Sequence, residues 1–140
     1  MITGNPGTQR TRTIQVAAGI IWRRGCFLAA RRPEGKARAG FWEFPGGKRE
    51  QGENIEQALR RELEEELGIH CQTVVPWKTL THDYPDARVQ LHFMHVTDFT
   101  GEPAPRDGQE LRWMRPEEAR DFNFLPADRA IVAEIKAPGA

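Results

Sequence analysis

Residues 55–67 contain Ile, Ala, Leu, Glu, Gln and Arg with no glycine or proline and are followed by Gly68, which predicts one well-bounded helix. At about 100° per residue, Ile55, Ala58, Leu59, Leu63 and Leu67 line one side of it, as a buried face requires. Glu62 and Glu66 fall inside that arc, Glu65 lies at its margin and Glu64 points the opposite way. Acids four residues apart repel by roughly 0.2–0.5 kcal/mol even in water, and sinking them among leucines without a partner costs several kcal/mol each. An acidic run taken alone reads as a solvated helix surface, but this register sets three carboxylates beside the apolar stripe. A hard divalent cation removes the penalty, because carboxylates spaced i, i+3 and i+4 can converge on it.

The segment leading into the helix, Gly46-Gly47-Lys48-Arg49-Glu50-Gln51-Gly52-Glu53, is a glycine-rich loop with a further acid. Its backbone amides and Glu53 can approach the same cation and any phosphate held there. Upstream, residues 31–40 form a basic, loop-like stretch with Arg31, Arg32, Lys36 and Arg38, a place for an anion, before the aromatic run Phe41, Trp42 and Phe44 ends at Pro45-Gly46-Gly47.

Elsewhere the pattern alternates strands and helices. Residues 14–22 and 26–30 read as a hairpin around Gly25, and 73–82 and 88–96 as an antiparallel pair joined by Tyr84-Pro85-Asp86. A Gly- and Pro-bearing loop covers 100–108; residues 111–114 predict a short strand, 116–120 a helical turn and 127–136 a last amphipathic helix. Residues 1–12 read as a flexible lead-in and 13–138 as one domain, an α/β or α+β sandwich with helices on both faces of its sheet.

The 20 basic and 20 acidic residues cancel, so no global field draws the chain to a nucleic-acid polymer or an anionic membrane, and an anionic substrate must be met locally. Cys26 and Cys71 belong to no metal or disulfide pattern. With no apolar run of membrane-spanning length and no secretory segment at its start, the chain is expected in the cytoplasm, as a monomer or weak homodimer.

Residues 47–69, GKREQGENIEQALRRELEEELGI, resemble the Nudix box: glycine, five residues, glutamate, seven residues, Arg-Glu, an aliphatic residue, any residue, Glu-Glu, any residue, glycine and an aliphatic residue. Every constrained position is filled. The resemblance implies an α/β/α sandwich with a central mixed β-sheet. It also implies attack of a water, activated by magnesium or manganese, on a polyphosphate chain, with no covalent enzyme intermediate. By the same resemblance Glu62, Glu65 and Glu66 are metal ligands, with Gly47 and Glu53 contributing from the loop, and Gly47 and Gly68 are structural. Arg61 either orders the loop against the helix or simply pairs on its surface.

The flanks, VAAGIIW, WEFPGGK, YPDARVQLHF and LPADRAIV among them, are similar to the MutT-like branch of that family, whose members hydrolyse oxidised purine triphosphates such as 8-oxo-dGTP, or cytidine triphosphates, to the monophosphate and pyrophosphate. Carried over residue by residue, Arg32 contacts phosphate together with the Gly46, Gly47 and Lys48 stretch, Phe44 and Tyr84 form a base pocket, Asp128 faces a base edge, and Asp107 is a loop carboxylate near the metal. Other readings stand beside these: core packing for Phe44 and Tyr84, a helix N-terminal charge for Asp128, and a plain turn for Asp107. The chain departs from the MutT pattern in having Asp128 for asparagine, Asp107 for glutamate and Ala87 for arginine. An ionised aspartate only accepts hydrogen bonds, which favours the cytosine amine without excluding 8-oxo-guanine. Glu53, Glu65 and Asp107 are candidates for the general base. Two further readings remain: hydrolysis of another nucleoside-diphosphate-linked compound such as ADP-ribose, and a catalytically silent nucleotide-binding module.

Overall fold

The structure is a computed structural model that describes residues 12–138; the expected lead-in over residues 1–11 lies outside the described residues, and Arg12 already belongs to the first strand. In chain order the elements are β1 (Arg12–Arg23), β2 (Cys26–Arg31), β3 (Trp42–Glu43), β4 (Gly46–Lys48), α1 (Ile55–Leu67), β5 (His70–Tyr84), β6 (Ala87–Thr100), β7 (Glu110–Met114), α2 (Pro116–Ala119) and α3 (Pro126–Glu134). The sheet runs β3-β2-β1-β6-β5, with β4 also paired to β1 and β7 to β2. The long pairing of β1 with β6 is parallel and the other strand pairs are antiparallel, so the sheet is mixed.

The strands alternate their side chains between two apolar cores. From β1, Ala18, Ile20 and Trp22 face one layer, where they meet Phe27, Phe93, Phe124, Ile131 and Val132. Ala17 and Ile21 face the other, with Leu28, Met94, Val96 and the α1 residues Ala58, Leu59, Leu63 and Leu67. This two-residue period puts α1 on one face and α2 and α3 on the opposite one, the α/β/α sandwich. Leu59, Leu63 and Leu67 are fully buried, each worth about 1.5–3 kcal/mol relative to exposure. Asn54 caps α1 through a reciprocal pair with Gln57, and Gly68 ends it in the left-handed conformation at φ 76°.

Three details depart from the sequence expectation. The aromatic run, which the pattern assigns to no element, contains β3, and the glycine-rich loop opens with β4; both are too short for periodicity and are fixed instead by pairing with β2 and β1. The hairpin β5–β6 is longer than the sequence suggests and tightens to Pro85-Asp86. Pro76 fits within β5 because that strand is the sheet edge, and the register shifts beside it. Finally, α3 stops at Glu134, since Ile135 returns to extended backbone. Among the described residues no helix is long and apolar enough to cross a membrane.

Candidate functional site

A cavity of about 680 Å³ opens on the sheet between α1, α3 and the tip of the β5–β6 hairpin. Its lining brings together Gly46, Gly47, Lys48, Glu66 and Asp107 from the glycine-rich loop, α1 and the loop after β6, with Phe44, Tyr84 and Asp128, and with the basic Arg32, Lys36 and Arg38 from the loop after β2. Residues far apart in sequence meet here because β1 carries β4 along one edge, while the loops after β2 and β6 and the start of α3 close over it.

Around α1 the box glutamates divide. Arg61 donates to both oxygens of Glu53, at 2.8 and 3.1 Å, to Glu62 at 3.1 Å and to the Lys48 carbonyl at 3.0 Å, so one guanidinium ties the glycine-rich loop to the helix. Glu50 and Glu65 approach the same guanidinium at 3.7 and 3.5 Å from more exposed positions. Hydrogen bonding by Arg61 holds the Glu53 carboxyl below its ordinary range. The Glu62 carboxylate lies against Gly47, where a Cβ would come within 2.6 Å of its oxygens; only glycine lets the loop pass so close.

Glu66 is one turn further along α1 and is not among the partners of Arg61. Its half-buried carboxyl is pushed up to about 9 by desolvation, by the neighbouring Glu62 carboxyl, and by the charges of Asp107 and Glu43. Two carboxylates this close demand either a proton or a cation, and oxygen donors on a hard divalent ion are the chemistry this set fits. The triple convergence suggested by helical spacing is not the arrangement seen. Among the described residues no three acidic, histidine or cysteine side chains converge as a ready-made ion site, because Arg61 draws Glu53 and Glu62 toward itself while Glu65 remains largely in solvent.

Elsewhere in the lining, Phe44 and Asp128 are buried and Tyr84 is half-buried. Phe44 is 4% exposed and packs its ring against Phe27, Phe93 and Phe124, so it serves the core and the cavity wall at once. Tyr84 sits at the hairpin tip against His82, with the Arg38 guanidinium 5.7 Å from its ring centroid. Asp128, in the first turn of α3, is only 5% exposed. Burial pushes its carboxyl up to about 8, the charge of Glu43 adds to the shift, and only the Phe44 amide opposes it. Burial thus shifts the aspartate that the sequence reading took as ionised toward its protonated form, which adds an O–H donor to its acceptors.

Glu43 escaped the sequence reading. It lines the cavity, pairs with Arg32 through both oxygens at 3.1 and 3.2 Å, and has its own carboxyl raised by burial. The signal that exposed Glu62 and Glu66, an acid among apolar neighbours, was present in Trp42-Glu43-Phe44 and would have found it. Arg31, part of the basic stretch, turns outward to Glu110 instead.

The sequence matches the NUDIX domain family over residues 17–134. It is similar to a protein named CTP pyrophosphohydrolase from Escherichia coli, 42% identical over 90% of this chain and 93% of that one. It is also similar to an 8-oxo-dGTP diphosphatase from Haemophilus influenzae, 39% identical over 89% of this chain and 92% of that one. The solved E. coli ORF135 protein superposes with a TM-score of 0.80 at 41% identity, covering 92% of this chain and 91% of the other. A filled box on the helix and loop that wall the cavity, and likeness along nearly the whole fold, place this chain in the Nudix hydrolase family.

Proposed function

We propose that this protein sanitises the nucleotide pool by hydrolysing modified nucleoside triphosphates, 8-oxo-dGTP and cytidine triphosphates being the substrates to which its relatives point, to the monophosphate and pyrophosphate. The observation that carries the reading is the cavity itself. Its lining combines carboxylates, basic side chains and aromatic rings, the groups that a metal-bound triphosphate and its base require.

Like other Nudix hydrolases it requires a divalent cation, which we take to be magnesium, held by Glu62, Glu65 and Glu66 with Glu53, Asp107 and the Gly47 backbone as further donors. When bound, the ion supplies charge neutralisation for phosphate oxygens and for the attacking water. Attack at the β phosphorus forms the new bond from water to phosphorus and breaks the bridge to the α phosphate, so the monophosphate departs with the bridging oxygen. Arg32, Lys36 and Lys48 meet phosphate charge. Arg61 keeps the glycine-rich loop docked, and Phe44 and Tyr84 exclude water around the base. A neutral Asp128 can donate to a guanine carbonyl while accepting from the ring NH of the oxidised purine, and it can equally accept from a cytosine amine. The lean toward cytidine that an ionised aspartate implied therefore disappears.

Purified protein with magnesium is expected to release pyrophosphate from an equimolar mixture of 8-oxo-dGTP, dCTP, 5-methyl-dCTP and CTP. Inactivity of the wild type across a broad triphosphate panel would defeat the proposal. Asp128→Asn in the same competition is expected to alter the ratio of oxidised purine to cytidine turnover, and an unchanged ratio would remove this side chain from base recognition.

A further inference from the structure

The loop after β6 is fastened to the end of α1 at three points. The Ala104 amide donates to the Leu67 carbonyl at 3.0 Å, the Arg106 amide to that of Glu66 at 3.1 Å, and Arg106 Nη1 to that of Glu64 at 3.1 Å. The last carbonyls of a helix have no partner within it, and α1 carries no basic residue in its final turn. Arg106 supplies two of these three donors and the positive charge from a segment some forty residues away in sequence, its guanidinium sharing the Glu64 carbonyl with the Gly68 amide. Its guanidinium lies directly over Gly68, where a Cβ would sit 2.6 Å from Nη2, so any side chain at that left-handed position would dislodge it.

The residue after this clamp is Asp107, which lines the cavity with Glu66. The Asp107 amide donates to Gln109 Oε1 at 2.9 Å, and Gln109 is itself buried in the cavity wall. The carboxylate is thus set by the clamp before it and by the Gln109 contact after it. We propose that Arg106 is a positioning residue: by locking the loop to the last turn of α1, which bears Glu66, it fixes the separation of Asp107 from Glu66. This rests on the reading that those two carboxylates serve the metal-phosphate end of the site. An ordinary helix cap would stabilise α1 and do nothing more, and the two roles make different demands.

The experiment compares wild type, Arg106→Ala, Asp107→Asn and the double variant. Manganese binding is measured by paramagnetic resonance without nucleotide, beside kcat and KM for 8-oxo-dGTP. Arg106→Ala is expected to lose about tenfold in manganese affinity and in kcat with KM nearly unchanged. The double variant is expected to be no worse than Asp107→Asn alone, and Arg106→Lys, which keeps the charge and one donor, to recover most of the loss. Wild-type manganese affinity and kcat in Arg106→Ala, or losses that add in full to those of Asp107→Asn, would overturn the assignment even if the melting temperature falls. Where Arg106→Ala does not fold by circular dichroism, Arg106→Gln, which keeps most of the stem and removes the guanidinium charge, takes its place in the same cycle with the same two outcomes. Failure of the wild type to turn over any triphosphate would count against the proposed function, and the manganese measurement would still decide the clamp.

Discussion

The α1 and α3 walls of the cavity hold their acids differently. Around α1, Arg61 brings a cation to Glu53 and Glu62, keeps Glu53 ionised, and leaves Glu66 beside like charges. Around α3, Asp128 joins no ion pair among the described residues, and burial raises its carboxyl. The Glu66 and Asp128 carboxyls are both raised first by desolvation, but Glu66 also faces the Glu62 and Asp107 carboxyls, a cluster that a cation would neutralise, whereas Asp128 meets only the charge of Glu43. The same chemical group is lowered in one setting and raised in another by its surroundings alone.

The sharpest way to break that contrast is Glu66→Gln. If the α1 wall is where chemistry occurs, turnover of 8-oxo-dGTP or dCTP should fall by more than about a hundredfold, with no loss in melting temperature because a crowded carboxylate has been removed. Retained turnover would show that the concentration of charge there serves something else.

The α3 wall is tested by stability against pH. Asp128 titrates near 8 in the folded state against an ordinary 3.8, so the native protein binds more protons than the unfolded chain between those values. Its contribution is fully present below the ordinary value and is lost as pH rises through about 8, at a limiting slope of about 1.4 kcal/mol per pH unit. Asp128→Asn removes this loss. Denaturant unfolding from pH 5 to 8 should show the variant gaining on wild type as pH rises, and parallel curves would mean that the carboxyl is ionised after all.

Arg61→Ala should lower the melting temperature modestly and leave the fold intact, because the guanidinium ties the glycine-rich loop to α1 from a largely solvated position. Faster amide exchange confined to residues 47–53 would locate that loss at the loop. Uniform protection would show that the guanidinium is a surface ornament of the helix.

The amphipathic stripe of residues 55–67, its stop at Gly68, the hairpins and the misplaced glutamates were all local patterns, and local patterns are what a sequence displays. The chain by itself also determined the family, through the filled spacing from Gly47 to Ile69. Only the tertiary structure decided which acids have a counter-ion, since Arg61 reaches back eight residues to Glu53 while Glu66 and Asp128 depend on neighbours brought by other elements. It likewise decided the roles of Glu43 and Arg106, whose partners lie on other elements, and the short strands β3 and β4, which exist only by pairing. The ionisation of a carboxyl depends on the water and charge within a few ångströms of it, and in this chain those neighbours come largely from distant parts of the sequence.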